Sequence, residues 1–330
     1  IYALKDENGI IYENNMNDIE KISFLTIAEK KNKYDGKTVL QSGFTLGCFN
    51  KFVKIFQEND YILAIYNQDA VGKNTTRSFK EIISPGTFLE DETNLISNIT
   101  LCIWIEHSKV RKLMNSITIG VSSLDIFTGK TTLCEYTIDY DHSANTYDQL
   151  EQLVSVYNPK ETILISNMES DLINEIKSYV GLNNKKCYVV ESTKVDHLLL
   201  DYVINSYKQN YQLETLIKYY PNISRDIIES DLIHTYGIAV QSFIVLLDYM
   251  YEHNCDFIKQ LYFPEFTHNT NKLVLANYSL KQLNILNDSR HCGKLSSISN
   301  FLNNCLTCMG QRKFLYDLHN PITDPETLNL

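Results

Sequence analysis

Over the first ninety or so residues, apolar and polar positions form short bursts of mixed period. Helical spacing predicts helices over Asn17 to Ile27 and Phe49 to Gln57, with a polar, Lys-rich connection between them. Alternation predicts strands at Tyr61 to Tyr66 and Ser78 to Ser84, the second stopped by the turn signal Pro85-Gly86. The next stretch is dominated by β-branched alternation at Ile99 to His107, Ile117 to Ile126 and Lys130 to Ile138, and Thr128-Gly129 predicts a hairpin between the last two. Helices over Thr146 to Tyr157 and Ser170 to Tyr179 then interleave with strands Thr162 to Ile165 and Cys187 to Glu191. That β-α-β-α-β order predicts parallel pairing of the later strands. Beyond Leu198 the pattern turns helical. A largely apolar helix is expected from His234 to Glu252, further helices over Gln282 to Leu286 and Ser296 to Asn320, and another beginning at Pro325.

A chain of 330 residues is too long for one ordinary domain. With 44% hydrophobic and 21% charged residues it is globular in composition, which excludes disordered and rod-like classes. The net charge of -10 argues at first against nucleic acid. The acidity is uneven, however: residues 91–220 hold 17 acidic and 11 basic residues, whereas 37–80 carry six basic residues (Lys37, Lys51, Lys54, Lys73, Arg77 and Lys80) against three acidic ones. Eight scattered cysteines suggest reduced thiols in an intracellular compartment, and no apolar run reaches the ~18 residues of a membrane span. The first residues show neither an initiator Met nor a signal-peptide pattern, so the chain is expected to be a fragment of a longer protein.

Candidate chemistry is sparse. Thr128-Gly129-Lys130-Thr131 resembles the end of a phosphate-binding loop, but Leu124 stands where a glycine is needed and β-rich sequence follows, so a hairpin turn is the expectation. Cys305 and Cys308, with His291, Cys292 and His319 nearby, could supply zinc ligands; on a helix they would instead be buried thiols. Asp125 with Glu135, Asp141 or Asp148 could hold Mg²⁺ as in a nuclease, or be solvated strand-end carboxylates. Gln41-Ser42-Gly43-Phe44 ahead of the second helix, with Lys51 and Lys54 on one helical face, offers backbone N–H groups and positive charge to a phosphate.

Taken in order, Gly43-Phe44, Asn50-x-Phe52-Val53, Tyr61-x-Leu63-Ala64-Ile65-Tyr66-Asn67-Gln68 and Ser84-Pro85-Gly86-Thr87 resemble the mismatch-binding domain of MutS-type DNA mismatch-recognition proteins. Leu124-Asp125-Ile126-Phe127-Thr128-Gly129 resembles a turn of that family's connector domain. Leu283-Asn284-Ile285, Cys308-Met309-Gly310-Gln311-Arg312 and Leu318-His319-Asn320-Pro321-Ile322 resemble the start of its lever or core domain. Departures are Thr45 for the proline of a Gly-Ile-Pro turn, Asn67 for a glutamate, and Glu81 at a position often basic; the style is that of a divergent, viral or organellar branch.

The resemblance implies a multidomain α/β chain. A small mixed α/β mismatch-binding domain would span 1–95, a ribonuclease-H-like connector 96–215, and the beginning of an all-α lever/core domain 216–330. It implies DNA contacts by Gln41, Ser42, Gly43, Phe44, Lys51, Lys54 and Arg77, with no catalytic or metal residues and no cofactor in this part, which would therefore not be an enzyme. ATP and Mg would belong to a domain beyond Leu330, and a Phe-x-Glu motif would lie just before Ile1. Expected partners are mismatched double-stranded DNA, a second subunit and downstream repair factors, with no membrane. A metal-dependent ribonuclease-H-like nuclease and a protein-interaction scaffold are the alternatives.

Overall fold

The computed structural model describes residues 1–12, 16–59, 61–69, 76–88, 98–110, 114–140, 144–183, 185–191, 199–266, 282–285, 293–319 and 321–328. The chain is of mixed α/β class and divides into two compact units, Ile1–Pro85 and Gly86–Leu330.

In the first unit, strands β1 (Tyr2–Lys5), β2 (Ile11–Tyr12), β3 (Ala28–Tyr34) and β4 (Lys37–Gln41) form an antiparallel sheet in the order β2-β1-β4-β3. Helices α1 (Met16–Ser23) and α2 (Phe49–Glu58) bury Met16, Ile19 and Phe56 with Ala3 and Leu40 of the sheet. Strands β5 (Leu63–Asp69) and β6 (Thr76–Ile83) form a two-stranded ribbon.

Two sequence expectations need correcting here. The Lys-rich connection is a β-hairpin: Tyr34 pairs with Lys37 across Asp35-Gly36, whose φ values of 49° and 73° are those of a tight two-residue turn. The first helix also stops at Ser23. The Ser23 hydroxyl donates back to the Ile19 carbonyl at 2.5 Å, and Phe24 enters the left-handed region at φ 56°.

The second unit is built on a six-stranded sheet of order β11-β10-β7-β8-β9-β12, from β7 (Ile99–Val110), β8 (Met114–Asp125), β9 (Lys130–Asp139), β10 (Glu161–Ser166), β11 (Lys186–Glu191) and β12 (Glu265–Phe266). As expected, β8 and β9 are hairpin-linked, and β10 runs parallel to both β7 and β11. Helices α3 (Asp148–Tyr157) and α4 (Ser170–Val180) end at left-handed Asn158 and Gly181. The central strands alternate between two cores. Leu101, Ile103, Ile105, Ile119 and Val121 pack with Leu150 and Val154 of α3 and Ile173 and Ile176 of α4. Cys102, Trp104, Leu124 and Leu133 join the opposite core, built from α5 (Leu200–Ser206), α6 (Gln209–Tyr219) and α8 (Gly237–His253). Between α6 and α8, a short helix α7 (Arg225–Ile227) runs into a π-turn, Ile228–Ile233.

Although α8 follows the expected boundary at 215, it lies on the sheet. Its residues Ala239, Val240 and Phe243 to Leu247 are fully buried. At Gly120 of β8 the two backbones approach so closely that a Cβ would lie 2.5 Å from the Ala239 nitrogen. The neighbouring Glu135 of β9, paired with Gly120, accepts the Ala239 N–H at 2.8 Å and so satisfies one of the unpaired donors at the start of α8. Burial and desolvation raise the Glu135 pKa above the ordinary carboxylate range despite that bond.

The long helix expected over 296–320 is two helices, Ile298–Leu302 and Cys308–His319. Ser297 caps the first by accepting the Asn300 N–H at 3.2 Å. Asn303 then takes an extended backbone and its side chain accepts the Cys305 N–H, so Cys305 is half-buried outside a helix. The Pro325 helix covers Pro325–Leu328, and of the expected 282–286 helix only Gln282 to Ile285 lie within the described residues. Among the described residues no single helix is long and apolar enough to cross a membrane. Arg225–Ile233 and Gly237–His253 reach that length only together, bent by 117°.

Candidate functional site

The residues expected to meet nucleic acid fall into two groups in the first unit. Gln41, the last residue of β4, pairs in register with Tyr2 of β1. The Arg77 guanidinium from β6 donates to the Tyr2 hydroxyl at 3.2 Å and lies 4.7 Å from the ring centroid. Lys30 of the β3–β4 hairpin also sits 4.7 Å from that centroid, so one tyrosine ring gathers two cations. The Arg77 hydrogen bond, aided by the Lys30 charge, lowers the Tyr2 pKa below the ordinary phenol value. Tyr2 and Lys30 were not singled out from the sequence; Asp35-Gly36, a hairpin signal between alternating residues, would have placed Lys30 on a strand.

The second group is the loop after β4 and its helix. The Ser42 N–H donates to the Ile1 carbonyl at 3.0 Å and the residue is only 2% exposed, whereas Gly43 is exposed. Phe44 stacks on Phe52 of α2 at 4.5 Å between centroids and approaches Phe49 at 6.5 Å, which pins the loop to the helix. A 3₁₀ turn, Leu46–Cys48, separates Gly43 from α2, so the glycine does not directly precede the helix start. Lys51 and Lys54, three apart on α2, are both exposed, and the Lys51 ammonium lies 5.9 Å from the Phe52 centroid. Lys73 lies outside the described residues. On one face of the β5–β6 ribbon, Tyr66 pairs with Phe79 and Gln68 with Arg77; the two exposed rings meet edge-on at 5.7 Å.

Among the described residues, the carboxylates considered as a metal site do not converge. Asp125 closes the β8–β9 turn, accepting from the Phe127 N–H at 3.1 Å and the Thr128 hydroxyl at 2.9 Å, and Gly129 follows at φ 70°. Glu135 caps α8, Asp148 accepts a hydrogen bond from the Tyr179 hydroxyl, and Asp141 lies outside the described residues. Among the described residues no group of three or more His, Cys, Asp and Glu is placed to hold a metal ion. The Thr128-Gly129-Lys130-Thr131 motif is therefore a hairpin turn, as expected.

A second feature lies in the other unit. A cavity of about 490 Å³ opens where α5, α6 and α8 meet, with Asp248 at its base. The Tyr211 hydroxyl donates to Asp248 at 3.0 Å, yet desolvation dominates and lifts its pKa from 3.8 to about 6. An acid whose folded pKa is raised contributes stability below its unfolded pKa and loses it as pH rises to the folded one, here between about pH 4 and 6. Asp248→Asn should therefore flatten this part of the stability profile, narrowing the pH 4 to pH 7 difference by roughly 2 kcal/mol. Urea midpoints at the two pH values check it, and an unaltered difference would contradict the assignment.

No protein-family model matches the chain. It is 26% identical over 321 residues to a DNA mismatch repair mutS homolog of Acanthamoeba polyphaga mimivirus, covering 92% of this chain and 28% of that protein. Over 329 residues it is 23% identical to the mitochondrial DNA mismatch repair protein mutS homolog of Sarcophyton glaucum, covering 89% and 31%. The chain thus spans less than a third of the length of these relatives. The resemblance to a divergent, viral or organellar MutS-like protein stands on this similarity. Among solved structures, a fowlpox virus resolvase in complex with substrate Holliday junction DNA matches 45% of this chain and 96% of its own, at 17% identity and a TM-score of 0.26. The fowlpox virus Holliday junction resolvase alone gives 46%, 97%, 18% and 0.27. The expectation that this chain is not an enzyme is not upheld by these neighbours, whose names are those of resolvases. At such TM-scores they carry no activity over to it.

Proposed function

We propose that the chain is the DNA-engaging and connector part of a mismatch-recognition protein, with 1–95 meeting mismatched duplex, 96–215 forming the connector and 216–330 opening the lever or core. The observation that carries this is similarity along about nine-tenths of the chain to two mutS homologs for DNA mismatch repair. The first unit supports it. Gln41 and Arg77, far apart in sequence, meet at Tyr2 beside Lys30, and Lys51 and Lys54 supply charge on α2. Phosphate contacts would come from Arg77 and the lysines. Gly43 leaves the backbone open to close approach, Phe44 holds the loop on α2, and buried Ser42 keeps the loop on the sheet. A mispair unstacks and bends at lower cost than a matched step, which suits recognition by shape. ATP and Mg would act in a domain outside this chain.

Anisotropy titrations test this, using the chain alone and extended to its full reading frame, on homoduplex, G·T and insertion-loop DNA at several salt concentrations. Arg77→Ala should weaken binding about tenfold on all three duplexes and lower the slope of log K against log salt by about 1. Equal affinity of the extended protein for all three duplexes would remove mismatch recognition, and an unchanged slope would remove Arg77 from the phosphate contacts.

A further inference from the structure

We propose that the cavity between α5, α6 and α8 binds the ammonium group of a lysine side chain presented by a partner peptide. Four tyrosines line it: Tyr202 from α5, Tyr211 and Tyr219 from α6, and Tyr251 from α8. Aromatic walls attract cations through the negative face of each ring. The cavity already shows that chemistry, because the Lys218 ammonium lies 4.4 Å from the Tyr251 centroid and 4.9 Å from that of Tyr219.

One resident lysine does not balance the charge. Asp248, Glu214 and Glu252 also line the cavity, so three carboxyl groups face one ammonium. Two of them are held by tyrosine hydroxyls, Asp248 by Tyr211 and Glu252 by Tyr202. Those bonds fix the carboxylates and rings together in a frame that requires no rearrangement to receive a second cation. Among the described residues no cation lies over Tyr202 or Tyr211, so that side of the cavity is where an incoming ammonium finds unused rings.

A peptide fits better than a free amine because a second cavity of about 480 Å³ shares Tyr211 and Glu214 with the first and continues along Lys208, Gln209 and Asn210. An amine would need the tyrosine-lined cavity alone. A peptide main chain also needs donors and acceptors beside it, which the exposed amides of Gln209 and Asn210 at the start of α6 provide. The acidity of residues 91–220 favours encounter with a basic partner. This site lies in the second unit and does not draw on the DNA-binding reading.

Fluorine NMR of the 330-residue chain labelled with fluorotyrosine tests it, with resonances assigned by Tyr→Phe variants and folding of every variant checked by circular dichroism. The probes are acetyl-Gly-Lys-Gly-amide, its norleucine counterpart, and spermidine. The lysine peptide should shift the Tyr202 and Tyr211 resonances saturably and the norleucine peptide should not. Asp248→Asn should weaken the lysine peptide about tenfold, and Lys218→Met, at an exposed position, should strengthen it about tenfold by removing the competing cation. Equal binding of norleucine, no saturable shift, or no gain in Lys218→Met would overturn the proposal. Binding of spermidine without the lysine peptide would overturn it in favour of a free amine.

Discussion

Gly120→Ala should cost the second unit about 3 kcal/mol, the upper end of what one extra methyl does in a packed interior. The new Cβ would lie 2.5 Å from the Ala239 nitrogen, 2.6 Å from the Ile238 carbonyl carbon and 2.8 Å from the Ala239 Cα. All three are backbone atoms, so no side chain can rotate away; β8 and α8 have to separate. Separation would also lengthen the bond from the Ala239 N–H to Glu135, which is why Gly120→Ala and Glu135→Gln should not add independently. For a unit of this size the loss corresponds to a fall in Tm of about 9 °C. Gly181→Ala serves as the control. Its φ is 79° and nothing lies within 4 Å of a Cβ there, so only the backbone penalty of about 1 kcal/mol applies. If the two variants melt together, the close approach of α8 to the sheet is wrong.

Glu161→Ala should be about as damaging. Glu161 is fully buried at the start of β10, where its carboxyl group accepts the Gly86 N–H at 3.0 Å and the Tyr188 hydroxyl at 2.9 Å. Alanine would remove the acceptor for both and leave a void, and each stranded donor costs roughly 1–3 kcal/mol, so about 3 kcal/mol in all is expected. Glu161→Gln keeps one acceptor oxygen and should lose about half as much. Calorimetric melting ranks the variants, and amide exchange at Gly86 reports the local break; an Ala variant as stable as the parent would show that the buried carboxyl group is dispensable. Gly86 itself has no substitute, because a Cβ there would lie 2.4 Å from the Glu161 carboxyl oxygen and 2.5 Å from the Thr100 hydroxyl.

These two sites show what sequence can and cannot disclose. Elements with a local period were legible: α2, the β7, β8 and β9 strands, and the β-α-β-α-β order with its parallel pairing all emerge where alternation or helical spacing predicts them. The Asp125-x-x-Thr128-Gly129 turn was legible because all its partners lie within a few residues. Pro85-Gly86 was recognisable as punctuation, but nothing local says that a glutamate 75 residues later needs that glycine. The β3–β4 hairpin was missed because lysines occupy positions where apolar residues would mark a strand, even though Asp35-Gly36 signals its turn. Of the candidate interface, the motif order placed Arg77 and Gln41, while Tyr2, which joins them, became visible only through strand pairing. The tyrosine-lined cavity had a readable half, since Tyr211, Thr215, Lys218 and Tyr219 share one face of α6. The half on α8 was hidden by that helix's nearly uniform apolar character.

The long separation between the sheet and the helix that covers it has a consequence during synthesis. The ribosome completes β11, the last strand of the sheet before α8, at Glu191 but does not finish α8 until His253. At 5–20 residues per second the nascent sheet would hold Trp104, Leu124 and Leu133 without the cover of α8 for on the order of 3 to 12 s. Over that interval part of the apolar face stays open, so closure of this core on the nascent chain waits for a helix made last.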